Sequence, residues 1–168
     1  EYIREQVEEA KGMPSKEAMV RRLHFCQWTD AESTWITRDI WEKAEDNIQI
    51  EDFYGEACYG GLDLSFTTDL TALALVFKRA DIHYLFLFFW KPKQGLREAE
   101  KKDGLEYKIW ADQGFLELTE GKVIKLGPIA HKLAWVQDNF DLKNIAFDKY
   151  RHKELAESLS DLGFEIPM

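Results

Sequence analysis

The stretch Cys58-Tyr59-Gly60-Gly61-Leu62-Asp63-Leu64-Ser65-Phe66-Thr67-Thr68-Asp69-Leu70-Thr71-Ala72-Leu73-Ala74-Leu75-Val76 constrains the fold more than any other part of the sequence. Two apolar runs flank a polar turn, which is the pattern of consecutive strands. The first run delivers a carboxylate, Asp63, to its end. An ionised Asp inside such a run costs several kcal/mol unless something compensates it, and a bound cation is a common compensation. Asp63 is therefore a candidate for chemistry rather than for fold. Asp148, in Asn144-Ile145-Ala146-Phe147-Asp148-Lys149-Tyr150, ends a second short apolar run in the same way.

The segments around these acids predict a topology. Ala57–Leu64, Thr71–Lys78 and Ile82–Trp90 read as strands, and Arg79-Ala80-Asp81 reads as a hairpin turn, so they should form an antiparallel meander. Lys91 to Gly114 reads as helical, and Phe115–Leu118 with Lys122–Ile124 as a small hairpin about Thr119-Glu120-Gly121. Pro128 to Phe140 has apolar residues at helical spacing behind a first-turn proline. Asn144–Asp148 then reads as a strand, His152–Leu162 as a helix ended by Gly163, and Phe164–Ile166 as the start of another strand. The right-handed crossover rule sets the strand ending at Asp148 beside, and parallel to, the strand ending at Asp63. Parallel neighbours about 4.8 Å apart expose their carboxyl ends on one edge. That spacing suits two carboxylates sharing Mg²⁺ or Mn²⁺. The class is α/β with a mixed sheet.

Upstream, residues 1–11 are helical in pattern, Gly12 to Ser15 interrupt them, and a second helix is expected after Ser15. Residues 23–56 carry Trp28, Trp35 and Trp41 without a clean period and read as a connector. The expected division is residues 1–56 as a partly helical linker and 57–168 as the sheet domain.

Composition narrows the function classes. With 22 Lys and Arg against 31 Asp and Glu, the net charge of −9 argues against non-specific binding to nucleic acid. A metal-dependent nuclease is the exception, because its carboxylates become ligands once a divalent ion arrives. Cys26 and Cys58 form no CxxC or Cys/His ligand spacing and read as reduced thiols. The longest apolar run, Tyr84 to Trp90, is strand length and far short of the roughly 20 residues of a spanning helix. No membrane partner is expected.

The segments GGLDLSFTTDLTALALVF, FFWKPKQGLREAEKKDGLEYKIWADQGFLELTEG and IAFDKY resemble the large terminase subunit of tailed bacteriophages and prophages. The upstream RRLHFCQWTDAESTWI resembles the segment joining that protein's ATPase motor to its nuclease. The resemblance implies a ribonuclease H-like nuclease domain that cuts concatemeric viral DNA in the host cytoplasm as it is packaged at the procapsid vertex. It implies catalytic acids at Asp63, bridging two divalent ions (Mg²⁺ or Mn²⁺), and at Asp148, holding one. A third acid would come from a later helix, beyond Met168. The expected partners are double-stranded DNA and, for the full-length protein, the small terminase subunit and the portal. No GxxxxGK[ST] loop occurs, so ATP is expected to act only through a motor outside this sequence. The sequence is expected to be part of a longer chain, and by itself an incomplete endodeoxyribonuclease domain that is weak or inactive.

Simpler readings stand beside these. Asp63 could cap the Ser65–Asp69 turn, and Asp148 could pair with Lys149 or Arg151. Asp69, with Thr67 and Thr68, reads as a turn former. His83, His131 and His152 are scattered, and the charges from Arg97 to Asp103 read as a solvated helix face. Lys149, Arg151, His152 and Lys153 could meet a phosphate or simply be solvated. Asp63-Leu64-Ser65 followed by Thr67-Thr68 also resembles the first phosphate loop of actin-like ATPases and sugar kinases. Such loops need glycine for close backbone approach, and Ser65-Phe66 stands there instead. A non-catalytic docking fragment of a decayed prophage protein is the third reading.

Overall fold

A computed structural model of the chain describes residues 1–11, 13–27, 36, 38–147 and 151–164. The chain divides into two compact units, Glu1–Ile48 and Gln49–Met168. The first contains α1 (Tyr2–Ala10), α2 (Pro14–Phe25) and the short α3 (Arg38–Lys43). In this unit Ala10, Ala18 and Val20 are buried where α1 meets α2.

The second unit opens with a 3-10 turn at Ile50–Phe53 and continues through β1 (Ala57–Asp63), β2 (Thr71–Arg79) and β3 (Ile82–Pro92). Then follow α4 (Leu96–Asp103), α5 (Tyr107–Asp112), β4 (Glu117–Thr119), α6 (Leu126–Asn139), β5 (Asp141–Phe147) and α7 (His152–Ser160). The 5-stranded sheet has the order β4-β3-β2-β1-β5. β1, β2 and β3 form the expected antiparallel meander, and β5 lies parallel to β1 on its other side.

Strand alternation sorts the sheet into two faces. Cys58, Leu62, Leu73, Leu75 and Phe77 are buried on one face, together with Ile145 of β5. Phe53, fully buried ahead of β1, sets its ring 4.9 Å from Phe77 and 5.3 Å from Phe86. Phe140 reaches Phe77 at 5.2 Å, so the core on this side is largely aromatic. α6 has Leu126, Ile129, Ala130, Leu133 and Val136 buried on one stripe and lies against α7, which buries Leu155 and Leu159.

Several boundaries differ from those read in the sequence. The sheet unit starts at Gln49 rather than at Ala57, because Phe53 is part of its core and the Gly55 amide donates to the Asn139 carbonyl at 2.8 Å. The 91–114 stretch is not one helix. Lys91 and Pro92 complete β3, and α4 closes at Gly104, whose φ of +68° ends a helix at no steric cost. The expected hairpin at 115–124 is absent: β4 pairs parallel with β3 at Trp90–Pro92, where the Trp90 indole donates to Glu117 at 3.0 Å. Ile124, fully buried, joins the loop after β1 through its amide. Most of the strand expected at 164–166 lies outside the described residues.

Candidate functional site

β1 ends at Asp63, and the parallel register pairs Leu62 with Phe147. The carboxyl ends of β1 and β5 therefore open on the same edge. Phe147 immediately precedes Asp148 in sequence, and Asp148 itself lies outside the described residues. Asp63 is opposite Ala72, on the face away from the aromatic core, and it is exposed. That exposure corrects one step of the sequence argument. Asp63 pays no burial penalty, so its candidacy rests on position alone.

The residues from Asp63 to Leu70 line a concavity of about 310 Å³. The loop that forms it is held from several directions. The Ser65 amide donates to Oγ1 of the fully buried Thr71 at 2.9 Å, and the Ile124 amide donates to the Phe66 carbonyl at 2.8 Å. Arg151, at the start of α7, donates through Nη1 to the carbonyls of Ser65 (2.9 Å) and Ile124 (3.2 Å). Its guanidinium also pairs with Glu154 at 2.9 Å and lies 5.0 Å from the Phe66 ring centroid. Lys91, only 2% exposed, donates to the Thr68 carbonyl at 2.7 Å, and its ammonium sits 4.4 Å from the Tyr107 ring centroid.

Arg151 is thus neither solvated nor free for a phosphate, since its side chain is 8% exposed and fully engaged. Sequence reasoning missed Lys91 altogether. The signal was present: a lysine between Trp90 and Pro92, at the end of the most aromatic run in the chain. Tyr107 donates to Asp103 at 2.9 Å; burial pushes the phenol above its ordinary range, with the Asp103 bond and the charges of Asp103 and Asp69 adding to the effect. Asp69 is exposed on the rim of the concavity. The phosphate-loop alternative loses ground here, because the Ser65 amide that would face a phosphate is already bonded to Thr71.

Elsewhere the sequence candidates are dispersed. His83 on β3 and His131 on α6 are exposed and lie on different elements, and the His152 side chain lies outside the described residues. Cys26 is exposed and Cys58 buried, both as free thiols. Burial, with the Asp141 charge, pushes the Cys58 thiol up to about 11, which makes it a poor nucleophile. Among the described residues no three His, Cys, Asp or Glu side chains gather as a ligand set. Asp63 brings one hard oxygen donor to an open concavity, chemistry that fits Mg²⁺ or Mn²⁺ rather than a soft metal. No helix among the described residues is long and apolar enough to cross a membrane.

A mixed sheet whose antiparallel meander is joined by a parallel strand, with a carboxylate at the end of its first strand, is a ribonuclease H-like nuclease architecture. The chain belongs to the family described as terminase large subunit, endonuclease domain, which matches residues 1–168. It is 33% identical over 165 residues to the terminase large subunit of Enterobacteria phage HK97, covering 97% of this chain and 32% of that protein. Protein YmfN of Escherichia coli (strain K12) is 24% identical over 131 residues, covering 72% of this chain and 29% of YmfN. The crystal structure of the HK97 bacteriophage large terminase aligns with a TM-score of 0.69 at 33% identity, covering 97% of this chain and 34% of that one. The chain spans about a third of the length of these relatives.

Proposed function

We propose that this domain hydrolyses phosphodiester bonds of double-stranded phage DNA with divalent cations held by Asp63 and Asp148, as the nuclease of a DNA-packaging terminase. The observation that carries the reading is the parallel pairing of Leu62 with Phe147, which ends two strands on one edge directly ahead of two aspartates in the sequence. Family membership supports the reaction class. Two divalent ions, when bound, would supply Lewis acidity at both the attacking and the leaving oxygen, so that no side-chain general base is required.

The chain's own residues have three tasks in this reading. Asp63 and Asp148 offer anionic oxygens that would hold hard cations, whose charge would offset the carboxylates' repulsion of the DNA backbone. The concavity after β1 leaves Asp63 open to solvent and to a polymer substrate, as an endonuclease requires. The clamped loop keeps that opening in one shape. In this reading the motor is part of the full-length protein, and the small terminase subunit and the portal are partners of that full-length protein.

The test is a Mn²⁺ titration of the intact chain, of Asp63→Asn and of Asp148→Asn, followed by calorimetry and thermal shift. Binding by the wild type that is abolished by each substitution supports one shared site. A wild type that ignores Mn²⁺, or binding that survives Asp63→Asn, overturns it. This chain alone should nick supercoiled plasmid in Mn²⁺ weakly or not at all, and robust nicking that is lost in Asp63→Asn would overturn that expectation.

A further inference from the structure

The sequence gives no reason for a lysine to be buried at the end of β3, and burial of an ammonium is costly without a compensating anion. Lys91 is 2% exposed, and no carboxylate among the described residues is paired with it. Its partners are a carbonyl oxygen and an aromatic face, Thr68 and Tyr107. Arg151 is a second cation that reaches the same loop. Its side chain is 8% exposed, and while Nε and Nη2 pair with Glu154, Nη1 donates to two carbonyls, those of Ser65 and Ile124. Both cations converge on one segment, the loop leaving Asp63, at its start (Ser65) and towards its end (Thr68).

We propose that Lys91 and Arg151 are positioning residues that pin the two ends of the 64–70 loop and thereby fix the direction in which the Asp63 carboxylate leaves β1. The proposal rests on the metal-binding reading of Asp63. Charged donors to carbonyl oxygens are stronger and shorter than neutral ones, so a loop without regular secondary structure gains two rigid anchors. Lys91 also joins the loop to a second small core. Tyr107, under its ammonium, packs with Leu96 and Leu116, and Leu70 of the loop packs against the same cluster. α4 and α5 thus act as a buttress for the loop behind Asp63.

Stability and positioning make opposite demands on Lys91, and this separates them. Replacing a buried charge by an apolar residue of similar length tends to be neutral or stabilising, whereas loosening a residue behind a metal ligand weakens the metal site. Lys91→Met is therefore expected to unfold at or above the wild-type midpoint. In the same variant the Ser65 and Ile124 amides should exchange about tenfold faster, and Mn²⁺ affinity should fall about tenfold. Lys91→Arg, which keeps a charged donor that stacks on Tyr107, should restore both. Exchange and Mn²⁺ affinity unchanged in Lys91→Met overturn the proposal. If the wild type binds no Mn²⁺, the metal reading of Asp63 fails, and amide exchange alone decides whether Lys91 holds the loop. Should Lys91→Met not fold, Arg151→Lys decides: it keeps the charge but not the fork. Faster exchange of the Ile124 amide supports the proposal, and unchanged exchange sinks it.

Discussion

Glu56 and Arg79 stand at the entrance of β1 and the exit of β2, and between them they hold the chain entering the sheet. The guanidinium forks onto the carboxylate with Nη2 to Oε1 at 2.6 Å and Nε to both oxygens at 3.1 Å. It also lies 3.8 Å from the centroid of Phe53. The hydrogen bonds from Arg79 hold the Glu56 carboxyl below its ordinary value of 4.5. A depressed carboxyl stabilises the fold above that ordinary value, and the contribution is lost as pH falls through the lower, folded one. Glu56→Gln should accordingly lower the unfolding midpoint at neutral pH, by a modest amount for a pair this exposed. The gap between variant and wild type should close as pH drops below the ordinary carboxylate range. Parallel midpoint curves across the acid limb would show that the pair contributes nothing.

At the scale of elements, the parallel contact of β1 with β5 is the one on which the candidate site depends, and it is unusually close at Gly60. A Cβ built there would lie 2.7 Å from Cγ1 of Ile145, a methylene attached to the branched Cβ of a buried residue. At Gly61 nothing lies within 4 Å of the same atom. Gly60→Ala should push the two strands apart and cost about 1–3 kcal/mol, as overpacking does, whereas Gly61→Ala should be close to neutral. Relief of the Gly60→Ala defect in the double variant with Ile145→Ala, measured as non-additive unfolding free energies, would locate the strain at this contact. Equal costs at both glycines would count against the register described here. The two glycines are adjacent in sequence and look interchangeable there. Only the pairing partner tells them apart.

For the whole molecule, the starting point of the folded sheet unit matters most. Phe53 precedes the first strand yet is fully buried against Phe77, Tyr84 and Phe86. A chain beginning at Gln49 should unfold cooperatively, whereas one beginning at Ala57 loses Phe53 and the Glu56 carboxylate. By analogy with large-to-small core substitutions, the shorter chain should be less stable by about 3–5 kcal/mol. Denaturant titration of both chains checks this. Equal stabilities would place Phe53 outside the cooperative core.

The strand runs around 58–76 and 82–90, the crossover to a parallel strand and the acid at the end of β1 were legible in the sequence, because alternation, turn residues and connection handedness are local or nearly local signals. The resemblance of a few segments carried the family. The sequence misread what long-range partners decide. Lys122–Ile124 looked like a strand, but the Ile124 amide is taken by Phe66, remote in the chain. Arg151 looked free to meet a phosphate, a carboxylate or solvent, and tertiary folding covers its side chain and engages it with two carbonyls and Glu154. Asp63 looked buried, because an apolar run cannot say which face of its last residue is covered, and it is exposed. The sequence by itself determined the strands of the meander and the parallel strand beside them, since these follow from residue type and spacing. Which charges are buried, and which loop they hold, was decided only by tertiary structure, because burial depends on neighbours that folding alone brings together.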